Sequence, residues 1–430
     1  MNRRRNPLIR SFLDLKGNSR ACMYTEPLWA IPFNLYQPFV SVYMAALLLT
    51  DWQIGFVASI GMFIRTLSAL LSGAITDKLG RRLTTAIFDI CSWSIPCLLW
   101  AFSQNFWWFI AAAAFNGLMQ VTDNSWICLL VEDAERGALV RIFSLIHMVA
   151  QLSVIFAPFA ALLVGRLTIV PAMRIMYMFS FVSMTTKFIL LYFYSGETQI
   201  GVIRKKETAG MTIWQIMGGY GQIYKRIFTS PEMVLAMALA AMFNIVGVIS
   251  GNFFSLYTTG TLGVPERYLA YFPILRSLVI AGFLFIIQPG LERFGFRRPM
   301  LTGLVIYLAN NLLLICTPKD TLWILFVYTF LEAFSYSLVM PRSDSLTALL
   351  IEPSERARIK GLITVIVLSC GVPFGYIAGR LSEMDRRLPF VLNMAIFTLA
   401  LIIIAKNKKK LDGIPTAPAP STASTPQARV

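Results

Sequence analysis

Apolar residues run along this chain in blocks of twenty or more, broken by short polar stretches and crossed by sparse polar stripes at helical spacing. A helix of about 20 mostly apolar residues spans the hydrocarbon of a bilayer. Windows of that size predict twelve spanning helices, at 27–49, 53–76, 83–103, 105–130, 141–165, 172–194, 233–258, 267–290, 299–317, 321–350, 357–379 and 388–405. Breakers such as Thr50-Asp51, Ser103-Gln104-Asn105, Val264-Pro265-Glu266 and Thr317-Pro318-Lys319 separate them. The longest internal loop, 195–232, divides them six and six.

Composition agrees with that pattern. Of 430 residues 57% are hydrophobic and 14% charged, with a mean hydropathy of +0.65. Such a chain cannot cover a globule with polar groups, so it belongs in a bilayer. The net charge of +16 falls in clusters between apolar runs rather than on one soluble face, which speaks against nucleic acid as a partner. With both termini inside, 27 Lys and Arg lie in inner segments, 7 in outer loops and 4 within spans. That excess predicts a multi-pass protein of the plasma (inner) membrane with both termini cytoplasmic. The tail opens Met1-Asn2-Arg3-Arg4-Arg5 without an apolar run before residue 27, so no cleaved signal peptide is expected.

The expected organisation is a cytoplasmic segment 1–26, a six-helix bundle 27–194, a cytoplasmic linker 195–232, a second six-helix bundle 233–405 and a disordered tail 406–430. Within 195–232, Arg204-Lys205-Lys206 precede TIWQIMGGYGQIYKRIF, suited to an interfacial helix in contact with lipid. No cofactor and no metal are expected. Six scattered cysteines form no CxxC pair, and the single histidine is His147. Nor does any nucleophile–base constellation suggest an enzyme.

The halves repeat each other. DNSWICLLVEDAER (123–136) aligns with SDSLTALLIEPSER (343–356), and DKLGRR (77–82) with ERFGFRR (292–298). Gly371, Gly375 and Gly379 in the eleventh span match Ala157, Ala161 and Gly165 in the fifth. Repeats in register on one side of the membrane predict two pseudo-symmetric bundles related by an axis along its normal. Rows of small residues at every fourth position let helices approach closely.

The stretch Gly73-Ala-Ile-Thr-Asp77-Lys78-Leu-Gly80-Arg81-Arg82 resembles the signature loop of the major facilitator superfamily, with every defining position filled. A weaker copy, Glu292, Gly295, Arg297 and Arg298, stands where that family repeats it. The resemblance implies an all-α fold of twelve transmembrane helices and secondary transport by alternating access. It also implies that the loop forms a gate, Arg81 pairing with Glu132 or Asp133 and Asp77 capping a facing helix. The sequence departs from the family's proton-coupled members in having no arginine within 112–122. It departs from its antiporters in reading Ala157-Pro158. Coupling ion and direction are left open by both.

A charge at the bilayer centre costs about 2.5–3.5 kcal/mol on insertion scales, so intramembrane charges must face protein or a wet cavity. Arg65, Arg276 and Glu332 fall near mid-span, while Asp89, Lys187, Arg342 and Asp344 fall nearer the inner face, where pairing or snorkelling serves. Polar stripes at Asn34 and Gln37, at Asn116, Gln120 and Asp123, at Asn244, and at Glu332 and Tyr336 predict the walls of a substrate cavity. Arg65 and Arg276, one from each half, suggest an anion clamp; pairing with Glu332 or Asp123 is the alternative. Glu332, Asp123 and His147 are the candidates for proton coupling. The expected function is proton-coupled transport of a small organic anion by a monomer. Efflux of lipophilic or cationic compounds is the alternative, and a transporter-like sensor or lipid-handling protein the second.

Overall fold

The computed structural model describes residues 15–134, 139–218, 228–291, 295–349 and 356–408. It is all helical, and its elements group into twelve spans among the described residues. Nine are helices long and apolar enough to cross a bilayer alone: Asp51–Leu79, Arg81–Ala101, Ile142–Leu167, Ile169–Tyr194, Pro231–Gly260, Arg297–Ile315, Leu322–Leu346, Gly361–Met384 and Leu388–Lys406. The first, fourth and eighth spans are assembled from shorter pieces. The first breaks at Gln37–Phe39, where Pro38 cannot donate a helical hydrogen bond. The fourth is divided into Phe106–Asn116 and Met119–Val131. The eighth carries a π-helical turn at Phe283–Ile287, after Tyr271–Gly282.

Local signals set the ends. Thr50 and Gln53 form a reciprocal capping box at the start of the second span. That span stops at Gly80, whose φ of +89° would strain any residue with a Cβ. Ser230 accepts from the Met233 N–H ahead of Pro231, which suits a first helical turn. One helix lies outside the predicted elements. Gly17–Thr25 is not apolar enough to be read as a span, yet it is tied to the fourth: Ser19 Oγ donates to the Leu130 carbonyl at 2.6 Å.

The two bundles meet at the end of the molecule that carries Asp51, opposite the end that carries Gly80. There the Gly375–Gly379 row lies against Gly55 of the second span. A Cβ on Gly375 would stand 2.8 Å from the Gly55 carbonyl oxygen, and one on Gly379 2.9 Å from the Trp52 Cα. Polar ties flank this contact. The Arg386 Nε meets Asp51 at 2.8 Å, Ser382 Oγ donates to the same carboxylate at 2.6 Å, and the Tyr376 N–H donates to Ser59 Oγ at 2.8 Å. Nearer the middle, Ser255 Oγ donates at 2.9 Å to the Pro38 carbonyl, which the break in the first span leaves free. The matching row in the fifth span is also buried at Ala157 and Ala161, but Gly165 meets only the Arg267 side chain, at 3.8 Å from its hypothetical Cβ.

Candidate functional site

A cavity of about 370 Å³ lies where the first span meets the second bundle. Gln37 and Pro38 form its wall on one side; Ser250, Phe254, Phe272, Tyr328 and Thr329 form much of the other. Arg276 of the eighth span and Glu332 of the tenth complete it. Their side chains pair at 2.9 Å through the Arg276 Nε, and the guanidinium sits 4.5 Å over the Tyr336 ring. Both remain open to the cavity, with 40% of the Arg276 and 25% of the Glu332 side chain exposed. An aromatic wall beside an accessible ion pair suits a small solute with an apolar body and a charged group.

The other cavity candidates are placed differently. Arg65 is not among the residues lining this space; its Nε donates to Gln120 Oε1 at 3.1 Å. Asp123 lies close enough to feel the Arg65 charge. Asn34 donates to its own helix at Ala30, Asn116 across to the Ser92 carbonyl at 2.9 Å, and Asn244 to the Val367 carbonyl at 3.2 Å. These three hold helices to shape. His147 is exposed on the fifth span and lines neither cavity described here.

A second chemical centre sits at the Gly80 end. Arg81 is buried, and its Nε and Nη2 grip both oxygens of Glu132 at 2.9 and 3.0 Å while its Nη1 meets Asp77 at 3.0 Å. Losing one partner of such a buried pair costs about 3–5 kcal/mol. Among the described residues Asp77 thus spends its carboxylate on Arg81, and the helix cap comes from elsewhere. Glu197 accepts from the backbone N–H of Arg81 at 2.8 Å and of Arg82 at 3.2 Å, placing a carboxylate on the free amides of the third span. Arg82 reaches the Tyr192 carbonyl at 2.7 Å and covers its ring at 4.2 Å. Asp133 accepts from Asn18 Nδ2 and from the Gln199 N–H, both at 3.2 Å. Thr198 Oγ1 donates to Glu132.

Around this centre opens a cavity of about 610 Å³, bounded by Gly73, Asn124 and Arg204 among others. Lys78 is exposed. In the weaker copy, Gly295 takes a φ of +64°, Arg298 is exposed, Arg297 starts the ninth span, and Glu292 lies outside the described residues.

Sequence reasoning missed Glu197 and Glu26. Glu26, placed in the N-terminal segment, meets Lys187 Nζ at 2.8 Å. Lys187 therefore does not snorkel: it is only 4% exposed, with Trp29 and Trp126 within 5.6 Å of its ammonium. A charge in one helix and its partner 161 positions away carry no shared local signal.

Known proteins agree with the architecture. The profile of the MFS_1 like family matches residues 33–388. No curated protein matches the chain in sequence. The fold is similar to that of the nucleoside transporter NupG, with a TM-score of 0.69 over 92% of this chain and 100% of that chain, at 14% identity. The peptide transporter POT in complex with sulfate gives 0.69 over 96% and 100%, at 12% identity. The human organic anion transporter MFSD10 (TETRAN) gives 0.58 over 93% and 100%, at 15% identity.

Proposed function

Because the chain belongs to the MFS_1-like family, and so is a secondary transporter of small solutes and not an enzyme, we propose that it carries a small organic anion together with a proton. The Arg276–Glu332 pair, open to the cavity where the bundles meet, carries this reading. While Glu332 is ionised it occupies Arg276. A proton on Glu332 releases the guanidinium, whose paired N–H groups then suit a carboxylate or phosphate on the solute. Proton and anion thus enter the site together and leave it together. Phe254, Phe272 and Tyr328 supply the apolar contact for the body of the solute.

Alternating access follows from bundles 27–194 and 233–405 rocking as bodies. The Lys and Arg asymmetry supports a plasma-membrane orientation with both termini and the Gly80 end in the cytoplasm. The Asp51–Arg386 tie then closes the outer side. The Arg81–Glu132–Asp77 cluster, wholly within the first bundle, holds the inner gating loop in shape, with Gly73, Lys78, Arg82 and Asp133 on the same side and the 295–298 loop as its counterpart in the second bundle. Asp51→Asn should therefore weaken the cytoplasm-facing state.

The test uses the purified chain in proteoliposomes with an inward acid gradient and panels of organic anions and lipophilic cations. Accumulation of an anion that collapses with the gradient supports the reading. A second reading, export of lipophilic cations, is favoured by the same aromatic wall with Glu332 as counter-charge. Gradient-driven movement of cations alone would replace the first reading with it.

A further inference from the structure

A second acidic centre lies inside the first bundle, away from the cavity. Lys187 of the sixth span is the ammonium of this centre, and Glu26 takes it at 2.8 Å with both groups buried. Asp89 of the third span lies beside them, 5% exposed. Thr122 Oγ1 donates to its Oδ1 at 2.6 Å, but its Oδ2 is buried without a partner. From the packed elements, the groups that face Asp89 are Lys187, Glu26, Asp123 and Thr122. Cys22 belongs to the same cluster, close to Lys187, Glu26 and Asp89 itself. Arg82 lies on the crevice that Asp89 lines, but its guanidinium is turned to Tyr192.

The charge balance decides the chemistry. One ammonium stands against two carboxylates, and its ion pair goes to Glu26. A buried carboxylate with one hydrogen bond and a bare oxygen bears the desolvation of a full charge. A neutral acid with one unsatisfied O–H escapes the larger part of that penalty. Against this stand the ordinary acidity of an aspartate and the nearby Lys187, so the site takes up its proton as the pH falls.

We propose that Asp89 is a proton-binding site within the N-terminal bundle, its proton held at Oδ2 and distinct from any carried by Glu332. It goes beyond the cavity reading and stands whatever the solute is. Lys187 and Glu26 act on it as positioning residues: their pair leaves Asp89 without a cation of its own.

The experiment is acid-minus-alkaline infrared difference spectroscopy of the full chain in nanodiscs, reading the carbonyl stretch of protonated carboxyl groups. Asp89→Asn should remove one band that Glu332→Gln, Asp123→Asn and Glu26→Gln all retain. Because asparagine copies the neutral acid, Asp89→Asn should also melt at the wild-type temperature at mildly acidic pH. An unchanged spectrum in Asp89→Asn overturns the proposal, and so does loss of the band only in Glu26→Gln. A fall in yield or melting temperature for Asp89→Asn counts against it as well, since that would mean the ionised form is the one the fold requires.

Discussion

Each bundle holds one arginine on its second helix that reaches through Nε to its fourth, and the two pairs differ by one functional group. Arg65 meets the amide of Gln120 at 3.1 Å; Arg276 meets the carboxylate of Glu332 at 2.9 Å. Arg276 follows Arg65 by 211 positions and Glu332 follows Gln120 by 212, close to the spacing of the internal repeat. An amide orients a guanidinium without neutralising it and does not titrate near neutral pH. A carboxylate neutralises it and is able to carry a proton. Among the described residues the second arginine alone has a carboxylate bound directly to it, while Asp123 stands near the first. Only the second opens on the 370 Å³ cavity, so under the proposed function the solute would meet the carboxylate arm.

That contrast can be broken from either side. Arg276→Gln should have the largest effect, a roughly 10- to 100-fold loss of apparent affinity for the anion, since charge-assisted hydrogen bonds contribute about 1.5–3 kcal/mol. Initial uptake rates against substrate concentration would measure it, and an unchanged KM would remove Arg276 from the site. Glu332→Gln makes the second arm a copy of the first. It should abolish accumulation driven by a pH gradient while leaving anion exchange within about threefold of wild type, as counterflow assays would read. Gln120→Glu makes the reverse copy. With Arg65 only partly buried, it should stabilise the protein by about 0.5–1 kcal/mol, visible as a small rise in melting temperature. Arg65→Gln should be mildest, a loss of about two- to fivefold in transport rate, because the lost bond is to a neutral amide. Equal losses for Arg65→Gln and Arg276→Gln would restore a symmetric clamp.

Much of the architecture was legible because it is written locally. Span length, breaker residues and the small-residue rows each act within a few turns, and the predicted spans agree with the observed helices to within several residues. The grip of Arg81 on Glu132 followed from a motif and a repeat. What was hidden are pairings across the fold. Nothing near Glu26 announces Lys187, and nothing near Arg81 announces that Glu197 will cap its helix. Polar stripes also overstate the cavity: Asn116 and Asn244 read as wall residues by spacing, yet they donate to carbonyls of neighbouring helices. A stripe tells that a face avoids lipid, not whether water or protein lies beyond it.

Where Gly55 meets Gly375 and Gly379, two backbones touch with no side chains between them. Such a joint has no teeth. Interdigitated side chains hold packed helices in discrete notches, and moving from one notch to the next means lifting each out of its socket. Bare backbone gives a plain bearing instead, over which one rod can tilt on the other in small increments. The detents must then come from the polar ties beside it, Asp51 with Arg386 and Ser59 with the Tyr376 N–H. Contact and locking are thereby assigned to different residues, so a methyl group on the glycines would force the two backbones apart, while loss of Asp51 would leave them touching but unlatched.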